Sequence, residues 1–194
     1  MESDRLYAMW VVLGTVGLRR GEALGLRRED VNLGDSKITV RQAISPVGKR
    51  LVTARPKSEK GSRDVWLDGT TVAILRIHLK AQAEERLAWG AGYAGHGLVF
   101  CRENGEPLDP GETSKTFKRL AKKAGLPAIR LHDLRHGVAT AWLEAGMNPL
   151  LVSERLGHAS AAFTLDVYSH VRPKVHAEAA EAVAGLIFGS EGKQ

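Results

Sequence analysis

Cysteine is all but missing from this chain of 194 residues: Cys101 stands alone. One thiol excludes an internal disulfide framework and a four-cysteine zinc site, and it fits a reducing compartment. Its expected place is a half-buried position after a strand. Long apolar runs are missing too. The longest, Leu6 to Val16, is too short to span a bilayer, and no basic segment precedes it as in a secretory signal. A cytoplasmic location is the expectation. There is no internal repeat and no low-complexity tract; the loosest stretches are Gly90 to Gly97 and the tail Gly189 to Gln194. Acidic residues are the minority charge, 22 against 28 basic ones, and the net +6 suits an anionic partner such as nucleic acid or a membrane surface. With 43% hydrophobic residues, the chain can bury a core of ordinary size, and its length fits one domain better than two.

What is present reads mainly as helix. Leu6, Met9, Trp10, Leu13 and Val16 recur at helical spacing after the cap candidate Ser3, and Arg19 follows the end of that helix. A short helical segment, Gly21 to Leu26, comes next. Three β-rich runs then follow, Lys37 to Ala43, Leu51 to Ala54 and Arg63 to Leu67, separated by Pro46-Val47-Gly48 and by Lys57-Ser58-Glu59-Lys60-Gly61. They predict a small antiparallel meander. Helices are expected again at Thr71 to Ala88, Thr113 to Ala124, His132 to Ala145 and Pro149 to Leu156, with a short one from Ala161 and a last one from Pro173. The fold class is α+β, mainly helical, with one three-stranded antiparallel sheet.

Scattered along this chain are residues suited to one kind of chemistry. A phosphodiester resists attack because its non-bridging oxygens are already negative and gain charge in the pentacoordinate transition state. Planar guanidinium groups answer that charge with paired hydrogen bonds and do not titrate near neutrality. Arg19 and Arg135 are the candidate clamp, with His132 and His158 as further donors. Tyr168, in Leu165-Asp166-Val167-Tyr168-Ser169-His170, supplies a phenol that attacks phosphorus if cations and a base such as His132 surround it; otherwise it is a packing residue. An aryl phosphate keeps the bond energy, so a freed 5′-hydroxyl can displace it later, and neither metal nor ATP is required. Lys57, in a hairpin connection, fits the general acid for that 5′-oxygen, with Lys60 as its rival; the alternative is two turn lysines facing solvent or the DNA backbone. Glu22, one turn beyond Arg19, orients that guanidinium or simply favours a helix start.

These pieces resemble the tyrosine recombinases, the phage integrase family. The matching segments are Thr15-Val16-Gly17-Leu18-Arg19-Arg20-Gly21-Glu22, Pro56-Lys57-Ser58, Leu131-His132-Asp133-Leu134-Arg135-His136, Leu156-Gly157-His158 and the segment around Tyr168, in the family's order. The resemblance implies a catalytic set of Arg19, Lys57, His132, Arg135, His158 and Tyr168, no cofactor and no metal, and double-stranded DNA as partner. It implies a 3′-phosphotyrosyl intermediate and strand exchange by a homotetramer on paired sites, as in phage-type integration and excision or the movement of other mobile elements. Residues 1–172 are expected to form the catalytic domain and residues 173–194 a C-terminal helix and tail. An N-terminal core-binding domain of the family's kind is not recognisable, so the chain reads as a catalytic-domain fragment or an unusually short enzyme. Lys115, Lys118, Arg119, Lys122 and Lys123 form a basic helix face suited either to a phosphate backbone or to solvent. Val175, Ala179, Ala182, Val183 and Leu186 form an apolar stripe that docks on a neighbouring protomer or on its own domain.

Three other readings compete. A type IB topoisomerase shares the tyrosine chemistry but relaxes supercoils without a partner site. A metal enzyme built on His132 and His136 lacks the Glu of a His-Glu-x-x-His helix and a third ligand at a telling distance. A non-catalytic DNA-binding module would have no need of the complete polar set.

Overall fold

The computed structural model describes residues 4–48, 50–54 and 62–157. Its centre is α1 (Tyr7–Thr15), whose residues are apolar all round, as in a helix buried on several sides. Ala8, Met9, Val12 and Leu13 are all buried, and α1 packs on α3 (Gly69–Trp89) and α5 (Leu131–Glu144). Asp4 Oδ1 receives both the Leu6 amide and the Trp10 indole N–H, at 2.9 and 3.0 Å, and so fixes the start of α1; Ser3 lies outside the described residues. The helix ends where Gly17 turns the chain at φ +72°. A Cβ there would stand 2.7 Å from Leu156 Cδ2 and 3.2 Å from Val138 Cγ1, so glycine is required by the backbone angle and by the close approach alike.

Beyond Gly17 comes α2 (Arg20–Leu24), a single turn and a half that could not persist alone. It is held by the burial of Ala23 and Leu24 and by Glu22, which accepts the Arg19 amide at 2.9 Å. α5 starts by the same device, with Asp133 accepting the Arg130 amide at 2.7 Å. Asp68, Asp109 and Asn148 cap α3, α4 (Pro110–Lys123) and α6 (Pro149–Leu156) through the amides of Thr71, Glu112 and Leu150. Pro110 and Pro149 occupy first-turn positions, where a missing N–H costs nothing.

The three-stranded antiparallel sheet is present, with a membership unlike the expected meander. It consists of β1 (Val31–Asn32), β2 (Lys37–Val40) and β5 (Arg63–Trp66), in the order β1-β2-β5. The Leu51 to Ala54 run lies instead in β4 (Arg50–Ala54), which pairs only with β3 (Ala43–Val47) as a separate ribbon. Pro46 is inside β3 opposite Leu51 and not in the turn, a placement that an exposed two-stranded ribbon tolerates because no further strand needs its N–H. In the sheet, Ile38 faces Val65 and Val40 faces Arg63, so these four share the inward side. Ile38, Val40 and Val65 join the main core.

A second, smaller apolar cluster of Ala139, Leu143, Val152 and Leu156 joins α5 to α6. No described helix is long and apolar enough to cross a membrane. Cys101 is fully buried rather than half-buried. The segments expected to be helical from Ala161 and from Pro173 lie outside the described residues.

Candidate active site

The C-terminal end of α6 is where three arginines meet. Arg63 Nε donates to Arg155 O at 2.7 Å, Arg135 Nη2 to Leu156 O at 2.5 Å and Arg19 Nη2 to Gly157 O at 2.8 Å. Consecutive carbonyls at a helix end carry the negative pole of the peptide dipoles and have no partner within the helix, so they draw cations. Gly157 closes α6 in the left-handed region at φ +68°, which turns its own carbonyl toward Arg19. Each guanidinium comes from a different element: Arg19 from the N-cap of α2, Arg63 from β5 and Arg135 from the first turns of α5.

Arg135 is 4% exposed and its Nη1 also donates to Gly17 O at 2.8 Å. Burial, and then the charges of Arg19 and Arg63, pull its pKa down to about 9, against the opposing pull of Glu22. It stays cationic at neutral pH. A guanidinium carries five N–H donors, so both of its known bonds leave donors for an anion. Arg19 has a side chain 43% exposed, with Nη1 on Glu22 Oε1 at 2.7 Å. It is held by protein on one edge and open to solvent on the other.

Glu22 is buried, and each of its oxygens receives two donors. Oε1 accepts from Arg19 Nη1 and Arg63 Nη1 at 2.7 and 3.1 Å; Oε2 accepts from the Arg19 amide and Arg63 Nη2, both at 2.9 Å. Burial alone would raise its pKa, but the hydrogen bonds and charge of Arg63, then those of Arg19, outweigh it and hold the carboxyl below the usual range. Arg63 was expected only as the first residue of a strand. Strand alternation does carry the missing signal: Arg63 stands on the same face as Val65, and a buried guanidinium calls for a carboxylate.

His132 is exposed on the first turn of α5, three residues before Arg135, and its ring meets His136 edge-on at 4.8 Å between centroids. Partial burial, then the neighbouring His136 and Arg135, lower its pKa. It is thus an uncharged imidazole at neutral pH, able to accept a proton. Among the described residues no three His, Cys, Asp or Glu side chains are grouped to hold a metal ion. The basic residues of α4, Lys115, Lys118, Arg119, Lys122 and Lys123, are all exposed, opposite the buried Thr113, Phe117 and Ala121. Lys57, Lys60, His158 and Tyr168 lie outside the described residues.

Residues 2–174 match the model of the phage integrase family. The chain belongs to the phage integrase family. This integrase-family chain is 32% identical over 200 residues to a XerC-like tyrosine recombinase of Caldanaerobacter subterraneus subsp. tengcongensis, covering 97% of this chain and 51% of that protein. It is 30% identical over 178 residues to the integrase of Mycobacterium phage L5, covering 89% of this chain and 46% of that one. The chain spans about half the length of these curated relatives. Its fold is that of the Tn1549 transposon integrase solved with transposon right end DNA, at a TM-score of 0.78 and 23% identity, over 97% of this chain and 62% of that one. XerA recombinase superposes with a TM-score of 0.68 at 26% identity, over 93% of this chain and 57% of its own. The mainly helical integrase fold with small antiparallel sheets is therefore as the sequence led one to expect.

Proposed function

We propose that this chain carries the catalytic domain of a tyrosine site-specific recombinase, which cuts and rejoins double-stranded DNA through a 3′-phosphotyrosyl intermediate on Tyr168. The observation that carries the reading is the pair Arg19 and Arg135 on the successive carbonyls of Gly157 and Leu156, cations anchored side by side with donors to spare. They hold the non-bridging oxygens of the scissile phosphate and answer the charge that grows there. His132 takes the proton of the Tyr168 phenol, whose oxygen bonds to phosphorus. The bond from phosphorus to the 5′-oxygen breaks, and that oxygen leaves with a proton from Lys57 or its rival Lys60. His158, next in sequence after Gly157, donates to a non-bridging oxygen. Rejoining is the same path reversed, with a 5′-hydroxyl of either duplex as attacker.

Family membership supports the rest: recombination by a homotetramer on paired sites, and a basic α4 face along the phosphate backbone. Among its relatives are a XerC-like recombinase and a phage integrase, and a neighbour of the same fold is solved on transposon end DNA.

A pool of nicked duplexes with a randomised central site tests the reading, because a nick just downstream of the cut lets the short fragment bearing the freed 5′-hydroxyl escape and traps the adduct. The wild-type chain is expected to give a detergent-resistant adduct whose digestion yields a phosphotyrosyl peptide containing Tyr168, and Tyr168→Phe to give none while binding the pool equally well. An adduct on the Tyr168→Phe protein would mean another nucleophile. Relaxation of supercoiled plasmid with no joining between molecules would favour the topoisomerase, and no adduct from any duplex a bare binding module.

A further inference from the structure

Arg63 belongs to none of the roles assigned above, yet it is buried with all three of its nitrogens bonded to protein. Its side chain and that of Glu22 are each 6% exposed. Both its terminal nitrogens are on Glu22 and its Nε is on Arg155 O. Gly157 lies directly above it, where a Cβ would meet Nη1 at 2.8 Å and Cζ at 2.9 Å.

We propose that Arg63 is the positioning residue of this active site: by clamping Glu22 and the end of α6 together from β5, it sets the place of Arg19 and of the turn that leads into His158. The inference rests on the recombinase reading. Its geometric basis is that Arg19 has two protein anchors, Glu22 Oε1 and Gly157 O, and Arg63 grips the group or helix end that carries each of them. Without Arg63, the carboxylate retains only Arg19, and the α6 end retains Arg135 and Arg19. β5 also leads out of the segment bearing Lys57, so one side chain ties that segment's exit to the α2 and α6 parts of the site.

A positioning role predicts a pH signature that a merely structural role does not. Among the described residues, the charged groups facing Glu22 are Arg19 at the start of its own helix, Arg63 from β5 and Arg135 from α5, while the end of α6 presents the carbonyls of Arg155, Leu156 and Gly157. Arg63 is the chief group that keeps the buried Glu22 ionised, so removing it moves the Glu22 pKa upward. Cleavage, which needs Glu22 ionised to hold Arg19, should then fall as pH falls through that raised value and recover as pH rises.

The experiment compares Arg63→Met, which keeps volume without charge, with Arg63→Lys, which keeps charge without the fork, and with Arg63→Met combined with Glu22→Gln. Adduct formation on the nicked pool is followed from pH 5 to 9, together with duplex binding, and the Glu22 carboxyl and the Arg19 Nε–H are followed by NMR in the DNA-free protein. Arg63→Met is expected to form adduct about 10- to 100-fold more slowly near neutrality with binding nearly unchanged, to recover in part at high pH, and to lose that pH dependence when Glu22→Gln is added. Arg63→Lys should be intermediate, and the Arg19 signal should shift in both. A wild-type rate in Arg63→Met overturns the proposal, as does a loss equal at every pH with an unmoved Arg19 signal. If Arg63→Met does not fold, Arg63→Lys decides by the same criteria. If the wild type itself forms no adduct, the recombinase reading fails separately, and an unmoved Arg19 signal in the variants overturns the positioning role.

Discussion

Two buried polar networks in this molecule differ in one respect. Beneath α3, Gln82 Nε2 donates to Leu98 O, Val99 O and Cys101 Sγ, His78 Nε2 bonds Val99 O at 2.8 Å, and Arg5 forks onto Glu85 while reaching Cys101 O. Arg5 meets the carboxylate of Glu85, the exposed Arg28 donates to Gln82 Oε1 at 3.1 Å, and the neutral donors meet backbone carbonyls and the Cys101 sulfur. At the end of α6, among the described residues, two guanidiniums, Arg19 and Arg63, bind the one carboxylate of Glu22, while a third, Arg135, is held by carbonyls. In the first network the carboxylate of Glu85 answers Arg5 alone, and the network joins α3 to the 98–101 segment. The second carries cationic excess in a partly buried place, which stability alone does not call for, and such a place is where an anion gains most.

The largest break in that comparison should come from Arg135. Arg135→Lys keeps a charge but cannot fork, so cleavage is expected to drop by about 10²- to 10³-fold. One of Gly17 O and Leu156 O would also lose its donor, at a cost of about 1–3 kcal/mol. Adduct rates and denaturant midpoints measure the two effects, and near-normal cleavage would mean that Arg135 is not in the clamp.

Removing the carboxylate from each network sharpens the contrast. Glu22→Ala takes from the buried Arg63 the carboxylate that both its terminal nitrogens bind and should cost about 3–5 kcal/mol. Glu85→Ala opens a pair whose side chains are 27% and 25% exposed and screened by water, so its cost should be about 1 kcal/mol. Urea unfolding of both variants tests the order; equal losses would mean that the α6 site is no more dependent on its acid than the structural network.

How much of this was legible beforehand depends on the range over which each interaction acts. Helical spacing located α3 to α6 closely, since period and caps are local. The expected start of α4 at Thr113 fell short because Asp109-Pro110, a cap followed by a first-turn proline, was not counted. The Lys37 to Ala43 run reads as one strand, whereas the chain leaves the sheet after Val40 and begins the ribbon at Ala43, a matter of which partners compete for backbone hydrogen bonds. Arg19 and Arg135 stood out as residue types in a motif. That they bind successive carbonyls of one helix end did not, because Arg19 and Gly157 lie 138 residues apart. Arg63 has its signal in the alternation of its strand, on the face of Val65, but its carboxylate partner Glu22 lies 41 residues away, where no local pattern points.

Acid separates the two networks by window. Burial lowers the pKa of His78, so its unfolded form binds a proton first, and stability should begin to fall as pH drops below about 6.5. Glu22, also lowered in the folded state, keeps its full contribution above the ordinary carboxyl value and loses it only as pH falls further, through its depressed folded pKa. Melting temperature followed from pH 8 to 3 should show an early limb, reduced by His78→Gln, and a later one, reduced by Glu22→Gln. A single limb common to both variants would contradict the assignment.

The smallest effect is expected outside both networks, on α4. Lys118 is exposed and lies beside neither buried cluster, so Lys118→Ala should change stability by no more than about 0.5 kcal/mol. If this face follows a phosphate backbone, the same change should weaken duplex binding evenly across sequences and reduce the slope of log affinity against log salt by about one. The cleavage rate of bound DNA should hold, because the described groups bonded at the α6 end are Arg19, Arg63 and Arg135. An unchanged salt slope would make α4 a solvated face and move the phosphate contacts elsewhere, leaving the cationic excess at the end of α6 as the part of the described structure with the stronger claim on DNA.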